Sequence, residues 1–178
     1  MNMKTNSKTE QVLVVLIVLS WLAFIGLIVK SGVILFSFIS SIFNSESARN
    51  IHEGLDLFNL RQDNFTLYTI LIVFTIIMSV LNAIVWWMVI KLINKIKLAN
   101  PFTMEVAHRL EYISYTLFSV WVLSVTGGGF IAWLGDKAGN LNDSWSHGQF
   151  LFMAGLVFII SQIFKRGVEI QSENDLTV

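Results

Sequence analysis

The stretch KLINKIKLANPFTMEVAHRLEYISY, residues 91–115, decides the fold. It holds Lys91, Lys95, Lys97, Arg109 and the only proline of the chain, Pro101, and it lies between two long apolar runs. Upstream, 66–90 carries no charged residue, and its polar interruptions are Thr66, Thr69, Thr75, Ser79 and Asn82. Downstream, 112–134 is uncharged as well. A helix rises 1.5 Å per residue, so about 20 apolar residues cross a hydrocarbon core of roughly 30 Å. Two such runs joined by a basic connector are the pattern of a polytopic membrane protein whose connector faces the cytoplasm.

Working outward, two more spans complete the layout. Val12 to Val29 are uncharged, and a helix over 12–30 rises about 27 Å, which brings Lys30 to the far interface with its ammonium snorkelling into water. After Lys30-Ser31-Gly32 a projecting bend is expected. A span shifted to about 19–39 would instead bury Lys30 and make it functional by default. The last span is 148–164, closed by Lys165-Arg166. Trp86, Trp87, Tyr112, Tyr115 and Trp133 fall where interfacial aromatic belts belong. Gly127-Gly128-Gly129 marks a kink or a close helix approach in the third span.

The reading is therefore an all-α bundle of four transmembrane helices in one domain. Its outer loops are 44–64 and 135–147, its cytoplasmic loop is 91–111 and its tail is 165–178. With both ends inside, Lys4, Lys8, Lys91, Lys95, Lys97, Arg109, Lys165 and Arg166 are cytoplasmic, against Arg49, Arg61, Lys137 and interfacial Lys30 outside. In the first outer loop Ala48, Ile51, Leu55 and Phe58 recur at helical spacing, which predicts an amphipathic helix on the outer surface. In the inner loop Asn100 caps a helix and Pro101 opens it.

Composition supports this class and narrows the chemistry. Hydrophobic residues make up 54% of the 178 and charged residues 13%, about half the share of a soluble domain. Mean hydropathy is +0.67. The absence of cysteine excludes disulfides, thiol nucleophiles and thiolate metal sites. No phosphate-binding glycine loop, catalytic triad or HExxH motif occurs. Spans two to four contain no ionisable group of the kind that pumps and selective pores use at depth, apart from the tyrosines. No catalytic residue and no cofactor is expected, and the chain reads as no enzyme. His52 with Asp56, and Asp143 with His147, are spaced i, i+4, and two such pairs meeting would suit zinc. Unrelated loop residues are the preferred reading, so no metal is assigned. His108 reads as a surface histidine.

Two local patterns resemble a known family. One is Ala99-Asn100-Pro101-Phe102 followed by a helix with Glu105 and Arg109. The other is Phe164-Lys165-Arg166-Gly167-Val168-Glu169-Ile170-Gln171, closing with Glu173-Asn174-Asp175-Leu176-Thr177-Val178. Together they resemble the YoaS-like family, uncharacterised bacterial inner-membrane proteins with four predicted spans. The resemblance implies a multi-pass protein of the bacterial cell membrane whose gene often neighbours a small helix-turn-helix regulator, and it brings no activity. The expected function is a non-enzymatic sensing, regulatory or partner-holding module. Its surface would comprise Asn100, Pro101, Phe102, Glu105 and Arg109 with Arg166, Gly167, Glu169, Glu173, Asn174 and Asp175. Its partners would be the lipid bilayer, a cytoplasmic protein and a second copy of the chain, with no direct nucleic-acid binding. The alternative is a small transporter using a polar stripe of Ser79, Asn82, Ser124 and Ser161.

Overall fold

A computed structural model describes residues 8–96, 102–135, 137, 138 and 148–175, with side chains to Glu173. Every element among them is helical: α1 Lys8–Phe43, a short 3-10 turn Ser45–Arg49, α2 Phe58–Asp63, α3 Phe65–Ile93, α4 Met104–Leu134 and α5 Gly148–Asp175. Four of these, α1, α3, α4 and α5, are long and apolar enough to cross a membrane.

Three helix limits differ from the sequence reading. α1 passes unbroken through Lys30-Ser31-Gly32, so the expected bend is absent. Long apolar runs on both sides of Gly32 outweigh its propensity penalty of about 1 kcal/mol. α4 begins at Met104, not at Pro101, because Thr103 in extended conformation accepts the Val106 amide on its hydroxyl. Asn100 and Pro101 lie outside the described residues. α5 does not stop at Lys165-Arg166 but continues to Asp175. α4 also runs through its glycine triplet without interruption.

The segment between α1 and α3 is not the single amphipathic helix that its periodicity predicts. Glu53 and Gly54 both have positive φ, 49° and 80°, which breaks any right-handed helix there. The loop folds back on itself instead. The Ile51 amide donates to the Leu55 carbonyl and the Leu57 amide to the Ala48 carbonyl, while the Ser37 hydroxyl donates to the Ile51 carbonyl. Ala48, Ile51, Leu55, Leu57 and Leu60 are thereby buried against Ile34, Tyr68, Leu71, Ile131 and Leu134. The helical spacing of the apolar residues thus records burial in a folded cap. Asn64 joins the cap to α3, accepting the Leu67 amide and donating its own to the Leu60 carbonyl.

Packing between the long helices is serial. α1 lies on α3, α3 on α4 and α4 on α5, and among the described residues no close backbone approach joins α1 to α4 or α5, or α3 to α5. Among the described residues the long helices therefore touch in the order α1, α3, α4, α5. A second core, with Leu92, Val106, Ile113, Leu117 and Ala154, lies along α3, α4 and α5. The molecule has a cap end, with 44–64, and a tail end, with the α3–α4 connection and the last turns of α5.

Candidate functional site

The tail end gathers the distinctive polar sequence. Phe102, just before the α4 cap, sets its ring 5.1 Å from that of Phe164. It also covers Gly167, where an added Cβ would stand 2.8 Å from Phe102 Cδ1. A Cβ here would displace the Phe102 ring, a coupling invisible in the sequence. Glu105 is flanked by two cations, with Arg109 Nη2 at 2.8 Å and Lys95 Nζ at 3.2 Å. These hydrogen bonds, Arg109's first, hold its carboxyl below the usual range. Six residues on, Glu111 accepts Lys165 Nζ at 2.9 Å and the Tyr115 hydroxyl at 3.2 Å, with His108 Nδ1 at 3.4 Å. The Lys165 bond above all lowers the Glu111 pKa.

The residues proposed from sequence therefore divide. Phe102 and Gly167 touch, Glu105 and Arg109 pair, and Arg166 pairs with Glu169 at 2.7 Å. Glu173 is exposed on the last turns of α5. Asn100 and Pro101, and the side chains of Asn174 and Asp175, lie outside what is described. The sequence reading missed the Lys95–Glu105 and Lys165–Glu111 pairs, since each joins residues of different elements. It also missed Phe164 as the ring under Phe102. Exposed Phe102, Met104 and Ile170 leave apolar surface among these charges.

The polar stripe is arranged differently. Ser79, Ser124 and Ser161 are buried, and the Ser161 hydroxyl donates to the Phe158 carbonyl of its own helix. Asn82 Nδ2 likewise donates to the Met78 carbonyl. Two grooves along α1 and α3 are lined by other residues.

At the cap end, residues 50–57 are not helical, so His52 and Asp56 share no helix face. Asp56 Oδ1 accepts the Phe58 amide, while His52 lines a groove beside α1. Asp143 and His147 lie outside the described residues, among which no group of three or more His, Asp or Glu side chains could hold a metal ion.

Described residues whose elements are all helical, with four helices long and apolar enough to cross a membrane, have the make-up of a multi-pass membrane protein. It belongs to the family described as "Protein of unknown function (DUF2975)", whose model matches residues 2–178. No curated protein and no solved structure matches the chain.

Proposed function

We propose that the protein is a non-enzymatic module of the bacterial inner membrane that holds a cytoplasmic protein partner on its tail end. The observation that carries this reading is the seat of Phe102 on Phe164 and Gly167, which makes the α3–α4 connection and the end of α5 one surface. On that surface exposed Phe102, Met104 and Ile170 stand among paired charges, Glu105 with Arg109 and Glu169 with Arg166. Apolar anchors ringed by charge are what a protein partner uses. The excess of Lys and Arg at this end supports a cytoplasmic orientation with both chain ends inside. The YoaS-like resemblance points to a small helix-turn-helix regulator as the kind of partner.

The test is site-specific photocrosslinking in cells, with a benzophenone amino acid at Phe102, at Glu173 and at Arg49 of the cap. The reading expects one and the same protein adduct from Phe102 and Glu173 and none from Arg49. Adducts with lipid alone at all three positions would refute it. Orientation is checked with Glu173→Cys and Arg49→Cys, which an impermeant maleimide should label from opposite sides.

A further inference from the structure

At the tail end Lys95 and Arg109 sit on Glu105, Lys165 on Glu111 and Arg166 on Glu169. Lys91, in the last turn of α3, meets no carboxylate among the described residues. Its ammonium stands instead over the Trp87 ring, 5.0 Å from the centroid. The depth of Lys91 follows from its neighbours. α3 and α4 run antiparallel, since Met88 Sδ lies 3.6 Å from Thr116 Oγ1 while Lys95 meets Glu105. Three residues past Met88, Lys91 is level with about residue 113 of α4, beside Glu111 and its ion pair with Lys165. From that polar level back to Phe65, α3 carries no charge. Lys91 therefore stands at the edge of the apolar layer, where an ammonium meets headgroups.

On the apolar side of Lys91, the seam between α1 and α3 carries three packed rings. Trp21 and Phe24 of α1 close on Trp87 of α3, with centroids 5.8 Å and 5.5 Å from it. A shallow apolar groove of about 300 Å³ starts at these rings and runs past Ile28, Ile84 and Val80. From Trp87 to Val80 it follows seven residues of α3, about 10 Å, away from the charged level. It is open along its length, and in a bilayer its open side faces lipid chains.

We infer that Lys91 and this strip bind an anionic phospholipid of the phosphatidylglycerol type, with its phosphate on the Lys91 ammonium and one acyl chain along Trp87, Trp21, Phe24 and Ile28. Position selects the class, because the cation is at headgroup level and the apolar strip leads from it into the hydrocarbon. Charge complementarity selects the headgroup. Lys91 has no acid of its own among the described residues, and a lipid with net negative charge supplies one, whereas phosphatidylcholine brings its own cation. Lysine binds phosphate as a point charge, and basic pockets between membrane helices hold anionic headgroups. The site lies between α1 and α3, apart from the Phe102 seat, and does not depend on the partner reading.

The experiment uses the full chain in phosphatidylcholine nanodiscs doped with phosphatidylglycerol that bears a diazirine in one acyl chain, and adducts are mapped by mass spectrometry. Labelling is expected on residues 21–28 and 80–87. Unlabelled phosphatidylglycerol should compete it away, and added phosphatidylcholine or glycerol phosphate should not. Lys91→Gln should lower labelling about fivefold, the factor that one basic residue contributes near an anionic surface, while Lys91→Arg retains it. Lys95→Gln removes the same charge from a lysine already paired with Glu105 and should retain it too. Ile84→Trp fills the groove from an exposed position and should lower labelling with Lys91 intact. The inference is overturned if Lys91→Gln labels like the parent, or if Lys95→Gln falls as far, which would mean general attraction to the tail end. It is equally overturned if a phosphatidylcholine probe labels these residues as strongly, or if glycerol phosphate competes, which would mean a site for a free anion.

Discussion

Replacing Gly167 by Ala tests whether the tail-end surface is held together by the Phe102 seat. The new methyl would stand 2.8 Å from Cδ1, 3.2 Å from Cε1 and 3.3 Å from Cγ of Phe102, so the ring must shift off its seat. Phe102 is 41% exposed, and somewhat more than half of it is therefore buried. Full burial of a Phe side chain contributes about 1.5–3 kcal/mol, which puts the seat at about 1–2 kcal/mol. Ala for Gly in a helix contributes about 1 kcal/mol in the opposite direction. Global stability should therefore change little, while the unseated population of Phe102 rises by a factor of about 5–30. Chymotrypsin cleavage after Phe102, on protein in nanodiscs, reads that population when reclosing is fast. The thermal midpoint reads the other half of the prediction. Gly155→Ala on the same helix is the control, since a Cβ there meets nothing within 4 Å. Cleavage at Phe102 that is no faster in Gly167→Ala than in the parent or the control would refute the seat.

Three further outcomes follow from the same geometry. Tyr68 is fully buried and its hydroxyl donates to Ser41, which donates in turn to the Phe38 carbonyl. Ser41→Ala strands the phenol and should cost about 1–3 kcal/mol in detergent unfolding, whereas Tyr68→Phe leaves Ser41 satisfied and should cost less. Thr103→Ala removes the cap that accepts the Val106 amide and should weaken the first turn of α4 by about 1 kcal/mol, seen as faster amide exchange there. Glu111 has a depressed pKa, chiefly through the bond from Lys165, so its contribution is full above the ordinary carboxylate range and is lost as pH falls through the lowered value. Thermal midpoints should hold from neutral pH to about pH 4 and fall below it, less steeply in Glu111→Gln.

The four long apolar helices were legible because a charge-free run long enough to cross a bilayer has few alternative fates. Their limits were not, because termination depends on local competition. At Lys30-Ser31-Gly32 three weak breakers face apolar runs on both sides, and the helix continues. At 100–104 two good starters compete, Asn100-Pro101 and Thr103, and the hydroxyl bond to Val106 marks the winner. The cap deceived for a different reason. Ala48, Ile51, Leu55 and Phe58 have helical spacing, but the positive-φ pair Glu53-Gly54 sends the backbone round a turn. Of the candidate surface, the sequence contained the residues but not their couplings. Lys165 with Glu111, Lys95 with Glu105 and Phe102 with Gly167 all depend on the antiparallel level of the helices, which no local pattern encodes.

That level is itself set mainly at the helix ends. Between apolar helices in lipid there is little hydrophobic drive, so packing and hydrogen bonds must choose the arrangement. In the middle of this molecule the buried polar side chains largely serve their own helices, as with Thr75 to Leu71 and Ser161 to Phe158. The polar links between helices lie towards the ends: Tyr68 with Ser41 at the cap, Lys165 with Glu111 at the tail. Serial packing then means that, among the described residues, α1 and α5 are related through α3 and α4. A change at the tail end that alters the α4–α5 level would leave the α1–α3 pair in place. Mutations at Gly167 and at Lys30 should accordingly be additive in stability, with a coupling within about 0.5 kcal/mol. A larger coupling in that double-mutant cycle would mean that the two pairs of helices are not independent.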